Sequence, residues 1–146
     1  MFRFKFLFFI LGPGIFSDFP DKYIKTTIMT ESIVGIKAYY FALKVIPLHR
    51  LMQEHKEYVI SNQLLRSATS IGANIEEAQA GISRKDFAAK MAIASKEARE
   101  SRYWLRLLSD SGIVNDYDFS ELLSEIDEIV RILTKIVKTT QLETNK

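Results

Sequence analysis

The chain has 146 residues, of which 47% are hydrophobic and 26% charged, and its formal net charge is +2. At this length a single hydrophobic core can stabilise the fold without a disulfide or a structural metal. The absence of cysteine excludes disulfide frameworks, thiolate zinc sites and cysteine nucleophiles, and the low glycine and proline content excludes collagen-like and low-complexity chains.

Residues 1–28 differ from the rest of the chain because they hold seven of the ten phenylalanines. Their apolar run, Phe6 to Leu11, is too short to cross a bilayer. Three interpretations stay open: an extension packed on the domain, a tail that touches a membrane, and translated sequence upstream of a start at Met29. We favour the third, because Met29 leads directly into a helical pattern, and we divide the chain into an N-terminal extension, 1–28, and a domain, 29–146.

The charges divide at the same place. Residues 1–28 hold four basic and two acidic residues, whereas residues 29–146 hold 16 of each sign. Tight nonspecific binding of nucleic acid depends on an excess of lysine and arginine. A nucleic-acid role of the domain therefore requires a local basic patch.

Two helices are predicted at the start of the domain. The first, about 32–55, carries Ile36, Tyr40 and Leu43 among its apolar residues. Pro47 is expected to kink or split it, because proline removes a backbone hydrogen bond. The second, about 59–80, repeats apolar residues at alternating four- and three-residue steps, the spacing of one helix face. This seam consists of Leu64, Ala68, Ile71, Ile75 and Ala78.

Two further helices follow. Ser83 and Asp86 resemble a capping box, and the alternation then continues to Gly112, which predicts a helix of about 28 residues. Asp118 and Glu121 form a second capping pair before the fourth helix. The predicted seams are Phe87, Met91, Ala94, Ala98, Ser101, Leu105 and Leu108 in the third helix and Leu122, Ile126, Ile129, Leu133 and Ile136 in the fourth. Four such segments with short connections predict an all-α fold, an up-down-up-down (antiparallel) four-helix bundle.

Aromatic side chains exceed what one core needs. Tyr39, Tyr40 and Phe41 point in three successive directions on a helix, so at least one faces outward, and Tyr103 and Trp104 add a second pair. A surface that subunits bury on self-association accounts for all five. Alternatively, these rings cover helix ends and the N-terminal segment.

Catalytic and metal patterns are sparse. His49 and His55 are the two histidines, and neither follows the Glu-x-x-His spacing of di-iron bundles, so we predict no metal site and no cofactor. Arg50 and His55 do match the arginine, four residues, histidine spacing of the all-helical HEPN ribonucleases, in which the pair binds and protonates an RNA phosphate. A small HEPN-like ribonuclease is therefore the alternative to a non-enzymatic protein.

Polar residues interrupt the second helix within twelve positions. Because some of them lie beside the apolar seam, we expect a hydrogen-bonded network that fixes the register of the helices. A polar pocket for a small ligand, or a contact with a partner chain, is the other interpretation. The residues are Arg66, Ser67, Ser70, Asn74, Glu76 and Glu77.

A basic strip is predicted along one flank of the third helix. Helical spacing places Glu97 and Glu100 on the opposite flank. The strip is a candidate for binding nucleic acid, although the acidic first half of helix four, or a neighbouring subunit, accounts for it equally by complementary charge. Its members are Arg84, Lys85, Lys96, Arg99, Arg102 and Arg106.

The run from Asn62 to Ala78, with Asp86-Phe87, Lys96-Glu97-Ala98 and the segment from Glu100 to Leu105, resembles the four-helix bundle proteins of the 23S rRNA intervening-sequence (S23) family. The resemblance implies a small bacterial protein that assembles as a homopentamer and has no established enzymatic activity. It also resembles, through a related branch, the basic accessory proteins of diversity-generating retroelements, from which the balanced charge of residues 29–146 departs. For the matching motif residues the implied role is structural or interfacial; they are Arg66, Ser70, Ile71, Asn74, Glu77, Lys96 and Glu97.

Together the residues and the resemblance predict a cytoplasmic, non-enzymatic homo-oligomer. We expect it to act as a binding or scaffold protein with RNA or a ribonucleoprotein as its partner. We expect no association with a membrane.

Overall fold

Four helices account for nearly all of the described chain. The structure is a computed structural model that describes residues 32–144, with side chains to residue 140. The helices are α1 (Ile33–Glu54), α2 (Val59–Gln79), α3 (Arg84–Ser111) and α4 (Ser120–Thr144). No strand occurs within that range, so the prediction of an all-α fold with four helices is confirmed. The expected extension, 1–28, lies outside the described residues.

The helix ends follow local side-chain chemistry. Ser83 Oγ accepts a hydrogen bond from Asp86 N at 3.1 Å, which confirms the cap predicted for α3. Glu57 caps α2, because its carboxylate accepts from the backbone N–H groups of residues 59, 60 and 61. At α4, Asp118 accepts from Ser120 N at 2.9 Å. Gly112 ends α3 in the left-handed region at φ 67°, where a residue without Cβ is least strained.

One apolar core lies between the helices. The seams predicted for α2, α3 and α4 are confirmed, except that Phe87 and Ile136 are only partly buried. For α1 the prediction is wrong: Leu43 is 44% exposed, and Ile36 and Tyr40 are half-buried. The buried positions of α1 are Val34, Ala38, Phe41, Val45, Leu48 and Met52. Because α1 is apolar on most sides, its periodicity does not single out the face that packs inward.

Pro47 lies inside α1 on its exposed side, and the helix continues through it from Ile33 to Glu54. The predicted split is therefore wrong. A proline costs its helix one backbone hydrogen bond, and the packing of the helix on both sides of it outweighs this cost.

Each helix contacts its neighbours in the chain, and α1 also contacts α4. Among the described residues no contact joins α1 to α3 or α2 to α4. The polar pairs between helices run in opposite order, so that a higher number on one helix meets a lower number on the next. Examples are Lys37 with Glu128, Lys44 with Glu125, Arg66 with Glu97, Lys90 with Glu77, Arg99 with Thr134 and Arg102 with Asp127.

Hydropathy was also examined along the helices. None of the four, over the part of the chain that the structure describes, is both long and apolar enough to cross a membrane.

Candidate functional site

A cluster of charged and aromatic side chains joins α2 to α3, which we call the Arg66 cluster: Arg66, Glu97, Glu100 and Trp104. Arg66 Nη1 donates to Glu97 Oε2 at 3.4 Å, and Arg66 Nη2 donates to Glu100 Oε1. Trp104 Nε1 donates to the same Glu100 oxygen at 3.2 Å. The cluster therefore links α2 to the indole ring of α3.

The ionisation of Glu100 reflects these contacts. Burial by itself raises the pKa of the Glu100 carboxyl, but the hydrogen bonds from Arg66 and Trp104 outweigh it, so the pKa lies below its usual value. Arg66 responds in the opposite sense, because the hydrogen bond to Glu100 raises the pKa of its guanidinium. Glu100 thus stays ionised and keeps two donors oriented.

Tyr103 lies beside this cluster on the outer side of α3. Its ring meets that of Trp104 edge to face, with centroids 4.8 Å apart and planes at 69°. Tyr103 is 57% exposed, whereas Trp104 is half-buried and packs against the core. The cluster therefore holds an exposed tyrosine against an anchored tryptophan.

The predicted polar residues separate into several contacts. The structure joins Arg66 to Glu97 and pairs Glu77 with Lys90. Asn74 Nδ2 donates to the Ser70 carbonyl within α2, at 2.8 Å. The sequence did not reveal the contacts of Glu100 and Trp104, since the pairing of Arg66 with Glu100 spans 34 residues.

The basic strip lies where its spacing predicts. Arg99 donates to Thr134 Oγ1 at 2.9 Å and Arg102 to Asp127 at 3.3 Å, both on α4, whereas Glu97 and Glu100 turn towards Arg66 on α2. The other members of the strip, Arg84, Lys85, Lys96 and Arg106, are exposed. Lys96 therefore belongs to the basic surface and not to the Arg66 cluster.

The five aromatic residues offered as an oligomer interface differ in exposure. Tyr39 is 63% exposed, and Tyr40 and Trp104 are half-buried. Phe41 is fully buried in the core, so its assignment to an interface is wrong. It occupies the inward direction of α1, two positions from Tyr39, because successive helical residues are rotated by about 100°.

Arg50 and His55, the pair of the ribonuclease alternative, are both exposed at the end of α1 and in the turn after it. His49, one turn earlier, contacts Asn62 Oδ1 at 2.9 Å and Gln53 Nε2 at 3.3 Å. Within residues 32–144 no group of three or more histidine, aspartate or glutamate side chains is arranged to hold a metal ion.

The chain is thus an all-α protein of four helices with a polar cluster between the second and third. A family model described as 23S rRNA-intervening sequence protein matches residues 30–135. The chain is also similar to a crystal structure from Bacteroides thetaiotaomicron, described as a protein with unknown function from the S23 ribosomal protein family. The two are 42% identical, with a TM-score of 0.68, over 73% of this chain and 99% of that chain. Among curated proteins no match was found.

This chain belongs to the 23S rRNA-intervening sequence protein family. The family resemblance drawn from the α2 and α3 motifs is confirmed.

Proposed function

We propose that this protein is a non-enzymatic, cytoplasmic homo-oligomer that acts as a binding or scaffold protein and associates with RNA or a ribonucleoprotein. The observation that carries the proposal is an exposed apolar row on the outer side of α1. We call it the α1 outer row: Tyr39, Leu43 and Ile46.

The spacing of the α1 outer row is four and then three residues, so its members lie on one helix face. Tyr39 is 63% exposed and Leu43 44%, although the opposite side of α1 lies entirely in the core. A helix that is apolar on two sides is typical of one buried on two sides. A second copy of the chain supplies the missing cover, and the family resemblance supports five subunits.

The order of the cross-helix pairs supports the direction of the helices. Lys37 lies against Glu128 and Lys44 against Glu125, which fits α1 and α4 running in opposite directions. The pairs of α2 with α3 and of α3 with α4 follow the same rule. We infer an up-down-up-down bundle, in which the contacts place α1 and α3 on opposite sides.

The RNA part of the proposal draws on the family name, which refers to 23S rRNA, and on the exposed bases of α3. Neutral overall charge does not oppose it, because the bases of α3 are separated by helix face from its carboxylates. A cytoplasmic location fits a cysteine-free chain, since reducing compartments do not favour disulfides.

The oligomer is tested by measuring the solution mass of the full chain by light scattering. We expect a multiple of the subunit mass, 16.8 kDa. Leu43→Glu places a charge in the α1 outer row and should lower the mass towards one subunit. Thr69→Glu adds the same charge at an exposed position of α2 and should leave the mass unchanged. A single subunit in the unmodified protein contradicts the proposal.

A further inference from the structure

The half of the α3–α4 face nearest the end of α4 carries bases without neighbouring acids. We call it the α3–α4 basic face: Lys96, Arg99, Arg131, Lys135 and Lys138, all exposed. None of the five takes part in an ion pair among the described residues. The contrast is Arg102, nearer the other end, which is paired with Asp127 at 3.3 Å.

Geometry makes the two helices one surface. Arg99 reaches α4 through its 2.9 Å hydrogen bond to Thr134. Arg131 lies three residues before Thr134 and Lys138 four residues after it, so both share its helix face. Residues 129–140 include no aspartate or glutamate, and Glu97 and Glu100 of α3 turn away to Arg66. The positive charge of this face is therefore not neutralised from either helix.

An aromatic ring lies in the same row. Tyr103 stands four residues after Arg99 and three before Arg106, on the outward side of α3, and all three are exposed. Its contact with Trp104 restricts the ring, and Trp104 is held by Glu100. An exposed ring with restricted motion stacks on a flat partner at a small entropic cost.

We infer that the α3–α4 basic face and Tyr103 together bind single-stranded RNA. The five bases contact phosphates along the strand, and Tyr103 stacks on an unpaired base. Duplex RNA offers the phosphates but keeps its bases paired, so it gains nothing from the ring. This inference rests on the RNA association in the proposed function and adds the strand type and the residues. An acidic surface of a second copy would satisfy the charges but leave the exposed ring without a role.

The test is fluorescence anisotropy on the full chain with a labelled, unstructured RNA of about 20 nucleotides, single-stranded and annealed to its complement. Arg131→Gln/Lys138→Gln removes two charges from the face, and Arg50→Gln/Lys56→Gln removes two exposed charges at the α1–α2 turn. We expect the first pair to weaken binding about tenfold and to lower the salt slope by about 1.4, at about 0.7 for each single-strand phosphate contact. The second pair should change the affinity by less than about twofold.

The stacking role has its own variants. Tyr103→Leu should weaken binding of the single strand about tenfold and leave duplex binding unchanged, whereas Tyr103→Phe keeps the ring and the affinity. Equal weakening of both RNA forms by Tyr103→Leu would overturn the stacking role. Tyr39→Leu, an exposed tyrosine on α1, is the control and should not change RNA affinity.

The outcomes separate the inference from the proposed function. If the unmodified protein binds neither RNA form, the RNA part of the proposed function fails and the inference fails with it. If it binds but both charge pairs weaken binding equally, RNA association stands and the assignment of the surface is overturned. If Arg131→Gln/Lys138→Gln lowers the solution mass while RNA affinity stays the same, the face binds a second copy and the inference is overturned.

Discussion

Ser101 Oγ donates a 2.8 Å hydrogen bond to Ser67 Oγ between α3 and α2, and both residues are fully buried. Ser67 in turn donates to the Leu64 carbonyl at 3.2 Å. Two small side chains at this crossing allow the helices to approach closely, while their hydroxyls satisfy each other away from water. The arrangement fixes α2 against α3 next to the Arg66 cluster.

The first prediction concerns this pair. Ser67→Ala removes the acceptor of a buried hydroxyl and should lower the free energy of unfolding by about 1–3 kcal/mol. The double variant Ser67→Ala/Ser101→Ala removes both partners and should cost less than Ser67→Ala alone, because no unpaired hydroxyl remains. Urea unfolding followed by circular dichroism measures both. A double variant whose cost equals the sum of the two single costs contradicts the coupling.

The second prediction concerns acid stability. The pKa of Glu100 lies below its usual value in the folded protein, so its contribution is present above the unfolded pKa of about 4.3 and is lost as the pH falls through the folded pKa. The unmodified protein should lose more unfolding free energy between about pH 5 and pH 3 than Glu100→Gln does. At about pH 7 the variant should be less stable by about 1 kcal/mol or less, because Glu100 is one-third exposed.

Glu76→Gln is the control for this experiment, since Glu76 is exposed and forms no ion pair among the described side chains. It should follow the pH dependence of the unmodified protein. Parallel stability curves for the unmodified protein and Glu100→Gln would show that the Arg66 cluster does not hold the ionised carboxylate.

The third prediction contrasts two glycines. Gly112 has φ 67°, and a Cβ there would lie 3.0 Å from Asn115 Oδ1, so Gly112→Ala should lower the free energy of unfolding by about 1–2 kcal/mol. Gly72 lies inside α2, and a Cβ there would meet Ala38 Cβ at 4.0 Å, an ordinary contact. Gly72→Ala should therefore raise the free energy of unfolding by up to about 1 kcal/mol. Thermal unfolding compares the two, and a shift of equal sign contradicts the assignment.

The fourth prediction concerns the ribonuclease alternative. We expect the full chain to leave a labelled RNA intact over hours, and His55→Ala to leave this unchanged. Arg50 and His55 are exposed at the end of α1, where water screens their charges and no buried site forms around them. Cleavage that disappears in His55→Ala but persists in His49→Ala would establish the enzyme instead.

The core of α2 was predictable because Leu64 and Ile71 alternate with polar neighbours on one helix face. The inward face of α1 was not, since Phe41 and Leu43 are equally apolar and only the packing of α2 and α4 separates the buried residue from the exposed one. For this reason Phe41 was misassigned to an interface.

The candidate site was predictable only in part. The spacing on α3 separated Arg99 from Glu97, and contacts to α4 and α2 confirm that they face different helices. The contribution of α4 was missed, because the charges of Arg131 and Lys138 gain meaning only when Thr134 is seen to contact Arg99. Partners on different helices are set by packing, which the spacing within one helix does not encode.

The most direct test of an RNA-associated oligomer is the light-scattering mass of the full chain on a sizing column, alone and with total RNA, at about 50 mM and about 500 mM salt. We predict an oligomer that elutes with RNA at low salt and separates from it, with its mass unchanged, at high salt. A single subunit of 16.8 kDa that elutes apart from RNA at both salt concentrations would contradict the account.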